Sequence, residues 1–249
     1  MIAVIYSICI WVFMLLWAFI MFPLAVIIWL LTVLFDKKLI ILHKFSSFWA
    51  SIYTWLNPLW KVRIENWHKL VRHKVYIIVT NHQSLLDILV LYRLFAHFKW
   101  VSKIENFHIP IVGWNMRLNR YIKINRGKTK SFLKMMRDCE NNLLSGSSIL
   151  IFPEGTRSED GKLGTFKQGA FKLAIKTNIP ILPIVLDGTA KALPKNGFVL
   201  RNSSNIKVKV LNEISPESFA SISSQELTKI VRSVMEKELE KMNSIHTGS

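Results

Sequence analysis

Two short stretches hold residues whose types and spacing suit proton-transfer chemistry. "TNHQSLLD", residues 80–87, follows the apolar run "VYIIV" and places Asp87 five residues after His82. A histidine where a strand gives way to a helix stands where ligands bind in open α/β sheets. A carboxylate one turn into the helix can return to one imidazole nitrogen, fix the tautomer and leave the other nitrogen to take a proton. A local reading competes: Ser84 as a helix cap with Asp87 at the third position. That explains Ser84 and Asp87 but not His82. No G-x-S-x-G elbow occurs in the chain, so the pair suits a reaction whose nucleophile is a substrate hydroxyl.

The second stretch, "IFPEGTRS" at 151–158, again follows an apolar run. Pro153 and Gly155 set an irregular turn, and Gly155 lets backbone approach a ligand closely. Glu154 and Arg157 are either a surface ion pair on a strand-ending turn or part of a site. Downstream, Lys167 stands at an expected helix start, where free N–H groups favour an anion. "RYIKINRGK" at 120–128 brings Arg126 to the end of a strand with alternating basic residues. This reads either as a solvated edge strand or as part of a site in which Arg126, Arg157 and Lys167 converge on one phosphate, whose oxygens suit arginine forks.

These residues need a scaffold, and the pattern supplies one. Strands are expected at 62–65, 75–80, 99–102, 121–124, 148–152, 181–186 and 206–211. Helices are expected at 84–97, 106–118, 129–144, 167–177 and 224–242. This predicts an α/β fold with a mixed sheet of about seven strands flanked by helices. The final helix is a docking helix by its apolar stripe, and 194–205 reads as a surface loop.

The first part of the chain differs. Met1 to Phe35 contains no charged residue, which is long and apolar enough to enter a bilayer. Neither a positive n-region nor a small-residue cleavage pattern supports a signal peptide. Residues 39–57 form a second, more amphipathic segment. Six of the nine tryptophans fall within residues 1–60, where indole suits either the headgroup boundary or a buried core. We therefore expect residues 1–58 to be a two-helix membrane-anchoring element that either spans the bilayer or dips in and lies along one leaflet, the polar residues of its second segment favouring the latter. Residues 59–249 form the αβ domain.

The formal net charge is +17. Following a membrane-seeking segment, it points to anionic lipid and an anionic substrate. Nucleic acid is disfavoured, because no nucleic-acid motif is present. The two cysteines, Cys9 and Cys139, lack metal-like spacing and read as free thiols.

Together these motifs resemble the glycerolipid acyltransferases. "NHQSLLD" is similar to their His-x4-Asp signature and "FPEGTRS" to their Phe-Pro-Glu-Gly-Thr-Arg signature, while "FKQGAFKLA" and "IPILPIVLDG" resemble further family blocks. The combination most resembles the lysophosphatidate acyltransferase family, over about Asn81 to Gly188. In that family the arginine block opens on Gly and ends Phe-Ile-Asp-Arg. Here those places hold Asn119 and Lys123-Ile124-Asn125-Arg126.

The resemblance implies that His82 is the general base and Asp87 its orienting partner. It implies an acceptor site of Arg126, Glu154, Gly155, Thr156 and Arg157, with Lys167 near the phosphate and Lys103 a further candidate. It implies acyl transfer from acyl-CoA or acyl-carrier protein to lysophosphatidate, without cofactor or metal, on the cytoplasmic face of the cell membrane. The alternatives are another lysolipid acceptor, a hydrolase, or a non-catalytic module that binds anionic lipid.

Overall fold

The computed structural model describes residues 1–159, 161–200 and 204–247, with side chains up to residue 243. The chain opens on α1 (Ile2–Thr32), which continues through Pro23. At ~1.5 Å per residue it is about 46 Å long, and it is apolar enough to cross a membrane. The "DKK" break turns through Leu39 at φ 59°, and Asp36 Oδ2 accepts from the Ile41 N–H at 2.7 Å to open α2 (Ile40–Trp55).

A seven-stranded sheet follows. Its strands are β1 (Trp60–Glu65), β2 (Ile77–Thr80), β3 (Phe98–Lys103), β4 (Ile122–Ile124), β5 (Ser148–Ile151), β6 (Ile181–Asp187) and β7 (Ser204–Val210). They lie in the order β1-β7-β6-β2-β5-β3-β4. Strands β6, β2, β5, β3 and β4 run parallel, β7 runs antiparallel to β6, and β1 is parallel to β7. The helices are α3 (Leu86–Tyr92), α4 (Val112–Leu118), α5 (Thr129–Leu144), α6 (Gly169–Thr177), α7 (Thr189–Ala192) and α8 (Ser224–Thr247). The strands β2 and β6 are buried along their whole length, as expected of sheet centres covered on both faces. Val90, Phe98, Leu182 and Val208 build the core on one face. Cys139, Phe171, Val231 and Met235, from α5, α6 and α8, build the other. Each large apolar side chain buried there contributes about 1.5–3 kcal/mol.

Several expected boundaries move. The helix expected at 84–97 ends at Tyr92, and Phe95 turns left-handed at φ 48°. The helix expected at 106–118 splits into a 3-10 turn (Ile104–His108) and α4, separated at Pro110 and at Ile111 with φ 63°. Proline lacks the N–H and disfavours helix in the residue before it. Helix α6 starts at Gly169, after Lys167 rather than on it. The loop expected at 194–205 gives way to β7 at Ser204, and Leu200 within it is buried. Residues 201–203 of that expectation lie outside the described residues.

The polar residues of the second helix have a different cause from the one expected. They do not mark a face lying on headgroups, for His43, Ser46, Ser47, Ser51 and Thr54 are all buried. His43 Nδ1 lies 2.9 Å from the Tyr121 hydroxyl and Nε2 lies 2.9 Å from the Ala96 carbonyl. The serine hydroxyls donate to carbonyls four residues back. Thus α2 is a wall of the αβ domain. By contrast α1 leaves Val12, Leu16, Phe19 and Leu31 exposed. The departure at Asn119 has a structural role: its Nδ2 donates to Ser46 Oγ at 3.1 Å and its carbonyl accepts from Lys99 Nζ at 2.9 Å, tying α4 to α2 and β3.

Candidate active site

The parallel strands β2, β5, β3 and β4 end side by side, and their C-terminal ends deliver the chemistry-bearing residues to one rim. His82 follows β2, the 152–157 turn follows β5, Lys103 closes β3, and Arg126 follows β4. A cavity of about 1120 Å³ opens there, roofed by α1 and α2 through Met14, Ala18, Trp49 and Tyr53. It is lined by His82, Gly155, Thr156 and Arg157, and by Lys103, Arg126 and Lys167.

The dyad is fixed from several sides. His82 Nδ1 lies 2.7 Å from Asp87 Oδ2. The same oxygen accepts from the backbone N–H groups of Gln83 at 2.6 Å and Ser84 at 2.9 Å. Asp87 is fully buried and the His82 side chain retains 16% exposure. The carboxylate therefore fastens the turn and holds the imidazole at once, while the N-cap position of α3 falls on Leu85 rather than on Ser84. Ser84 Oγ accepts from the Leu86 N–H at 3.2 Å and donates to the Leu193 carbonyl. With Nδ1–H donating to Asp87, Nε2 is the basic nitrogen, and His82 lines the cavity.

The second motif clamps the first. The Phe152 ring stacks on the His82 imidazole, centroids 3.9 Å apart and planes 16° apart, and Trp100 stacks in turn on Phe152 at 6.0 Å. Glu154 lies beneath the cavity rather than on its lining: it is buried, and its carboxylate accepts from the His82 N–H at 2.9 Å and the Gly164 N–H at 2.8 Å. Burial raises its pKa, while those two backbone bonds oppose the rise. The Ser158 N–H donates to the His82 carbonyl at 2.7 Å. Glu154 thus makes no ion pair with Arg157 and joins the two signature turns instead.

The cations occupy the rest of the rim. Gly155, at φ 71°, leaves room that a side chain would fill: a Cβ there would stand 3.0 Å from Lys167 Nζ. Arg157 Nη1 donates to the Lys195 carbonyl at 2.6 Å. Partial desolvation lowers the pKa of the Arg126 guanidinium, and the Glu105 charge partly offsets this. Lys123 packs over the Phe107 ring at 5.0 Å. Among the described residues none of Lys103, Arg126, Arg157 and Lys167 is in an ion pair. Sequence reasoning missed Phe152, Lys128 and Lys195, which also line the cavity. Phe152 stood inside a quoted motif, whereas Lys195 lay in a stretch that read as plain surface loop.

A histidine–carboxylate pair and a set of cationic side chains thus line one cavity at the strand ends of an α/β sheet. The chain belongs to the acyltransferase family: the Acyltransferase family model matches residues 61–187. It is 40% identical over 167 residues to 1-acyl-sn-glycerol-3-phosphate acyltransferase LPAT1, chloroplastic, of Arabidopsis thaliana, covering 67% of this chain and 46% of that protein. It is 42% identical over 166 residues to a 1-acyl-sn-glycerol-3-phosphate acyltransferase of Chlamydomonas reinhardtii, covering 66% of this chain and 49% of that one. The chain thus spans about half the length of these curated relatives. Its fold is that of the crystal structure of the 1-acyl-sn-glycerophosphate (LPA) acyltransferase PlsC from Thermotoga maritima, with a TM-score of 0.79, 24% identity, and coverage of 97% and 98% of the two chains.

Proposed function

We propose that the protein transfers a fatty acyl group from a thioester, acyl-CoA or acyl-carrier protein, to the sn-2 hydroxyl of lysophosphatidate, giving phosphatidate at a membrane surface. One observation carries this reading: the imidazole held at 2.7 Å by buried Asp87 lines the same cavity as Arg126, Arg157 and Lys167. Base and anion rim then serve one substrate carrying both a hydroxyl and a phosphate. The acceptor named for the relatives has both groups.

His82 Nε2 takes the proton of the 2-hydroxyl as its oxygen attacks the thioester carbonyl. The C–O bond forms and a tetrahedral oxyanion results. Its collapse breaks the C–S bond, and His82 returns the proton to the departing thiolate. Asp87 stabilises the imidazolium between these steps. The rim cations grip the phosphate and so orient the hydroxyl, an entropic contribution to rate. The exposed apolar surface of α1 seats the cavity in the lipid that supplies the acceptor.

The test is thiol release from acyl-CoA, measured with and without lysophosphatidate, for wild-type and folded His82→Ala protein. Release that depends on the acceptor and vanishes in the variant is expected. Equal release without acceptor means a hydrolase, and near-wild-type turnover of the variant removes His82 from the mechanism.

A further inference from the structure

The stretch between α7 and β7 connects two parts of the molecule that the mechanism uses separately. A turn closes where the Gly197 N–H donates to the Pro194 carbonyl at 3.0 Å. On one side of this turn the Lys195 carbonyl accepts from Arg157 Nη1 at 2.6 Å. Lys195 Nζ reaches back to Glu159 at 3.0 Å, closing a second link to the Arg157 loop. On the other side the chain docks on α1. Trp11 Nε1 donates to the Phe198 carbonyl at 2.9 Å, and the Leu200 N–H donates to Ser7 Oγ at 2.8 Å. The Phe198 ring stacks on Trp11 at 5.5 Å, yet Phe198 remains 61% exposed. A lone exposed apolar side chain is ordinary on a protein surface. Here it stacks on Trp11 of α1, and Ile8 and Leu15, one turn to either side of Trp11 on that helix, are exposed and apolar too, as is Val199 next in the chain.

We propose that the 194–200 loop is a second membrane contact, seating Phe198 at the lipid–water boundary beside α1, and that this seat aligns Arg157 through the Lys195 carbonyl. The proposal rests on the membrane-surface reading of the function. The occupant is an anionic bilayer. Apolar surface continuous with α1 enters the acyl boundary, and exposed Lys191, half-buried Lys195 and the net charge of +17 suit anionic headgroups. Headgroup recognition is then completed by insertion: an enzyme off the membrane has a less firmly held Arg157.

Phe198→Cys in a Cys9→Ser background gives one accessible thiol, because Cys139 is buried. A nitroxide there is compared with nitroxides at Leu24→Cys on α1 and Glu226→Cys on α8, in the full chain on phosphatidylglycerol–phosphatidylcholine vesicles. Oxygen and a water-soluble nickel chelate serve as relaxing agents. Positions 198 and 24 should favour oxygen and position 226 the chelate. Position 198 behaving like 226, with 24 in lipid, overturns the loop contact and leaves the membrane reading standing. Positions 198 and 24 both in water overturn both readings. Protection of 198 from both agents means a second copy covers it, which also overturns the proposal. The coupling is read from Phe198→Ser: its kcat/KM preference for lysophosphatidate over the matching monoacylglycerol should fall about tenfold, the scale of one misaligned charged hydrogen bond. A preference equal to wild type overturns the alignment of Arg157.

Discussion

The two ends of the rim are held very differently. At the dyad, Asp87 is fully buried under three donors, Phe152 stacks on the imidazole, and Glu154 and Ser158 hold the His82 backbone. At the cationic end, Arg126, Arg157 and Lys167 stand on loops or just before a helix, and among the described residues none makes an ion pair. In the proposed reaction the accepting nitrogen is then placed by the fold before substrate arrives, and the cationic end keeps its positive charge for the phosphate. This division fits a reaction in which proton transfer tolerates little misplacement, while a phosphate draws arginine and lysine into place by charge.

The comparison predicts that the largest losses come from the rigid end without loss of fold. His82→Ala should lower kcat by about 10²–10⁴-fold with an almost unchanged Tm, because the ring is partly exposed at a cavity wall. A thioester assay beside a melting curve checks this. Comparable kcat in the variant would break the contrast at its base. At the other end, Arg126→Ala and Arg157→Ala should each cost about 10–100-fold in kcat/KM for lysophosphatidate, the scale of a lost charged hydrogen bond. The loss should be much smaller for an acceptor without the phosphate. Equal losses on both acceptors would mean that these arginines do not read the phosphate.

Glu154 sharpens the contrast, because its motif suggested the acceptor site and its geometry puts it with the dyad. Glu154→Gln keeps one oxygen for the two backbone N–H groups it now serves. We expect kcat to fall about tenfold, the scale of one charge-assisted hydrogen bond, with KM for lysophosphatidate near wild type and a lower Tm. A rise in KM alone would return Glu154 to the headgroup.

The sequence was informative wherever a local pattern carries the physics. All seven strands were legible, some as short apolar runs and the one at 121–124 as an apolar–basic alternation, and α5 spans the helix expected at 129–144. His82 and Asp87 were legible because their bond spans five residues. That Arg126 and Arg157 line one cavity needed only the α/β rule that strand ends share a rim, whereas Lys167 reaches it from just before α6. What stayed illegible depends on pairings distant along the chain. Glu154 and His82 are 72 residues apart, and no composition signal says that an acidic residue beside an arginine faces backbone instead. The polar residues of α2 look alike whether they face headgroups or the His43–Tyr121 cluster. Ile111 breaks a helix that Pro110 alone announces weakly, since helices can tolerate a proline in their first turn.

The smallest expected effect lies away from the rim, at the joint between α2 and β3. His97 sits there with Nε2 3.2 Å from Ser147 Oγ. Burial, followed by the charge of Lys99, lowers its pKa from 6.5 to about 4, and Lys38 and Lys44 add to the effect while Asp36 opposes it. Between those two values the unfolded chain binds the proton and the native chain does not. Stability therefore rises with pH across about 4 to 6.5 and is lost on acidification. Lys99, lowered by burial from 10.5 to about 8, adds the same sign in its own alkaline window. Replacing the imidazole by a neutral amide, His97→Gln, removes one titration and leaves the rim untouched. Tm measured at pH 6.5 and pH 4.5 should fall about 6 °C less in the variant than in wild type, the shift that the ~2 kcal/mol of this linkage produces in a chain of this size. Activity at pH 7 should be unchanged. An identical Tm slope in both proteins would place the acid sensitivity elsewhere, with buried Glu154 excluded as its source: its raised pKa makes the native chain hold its proton longer, so that group alone gains stability as pH falls.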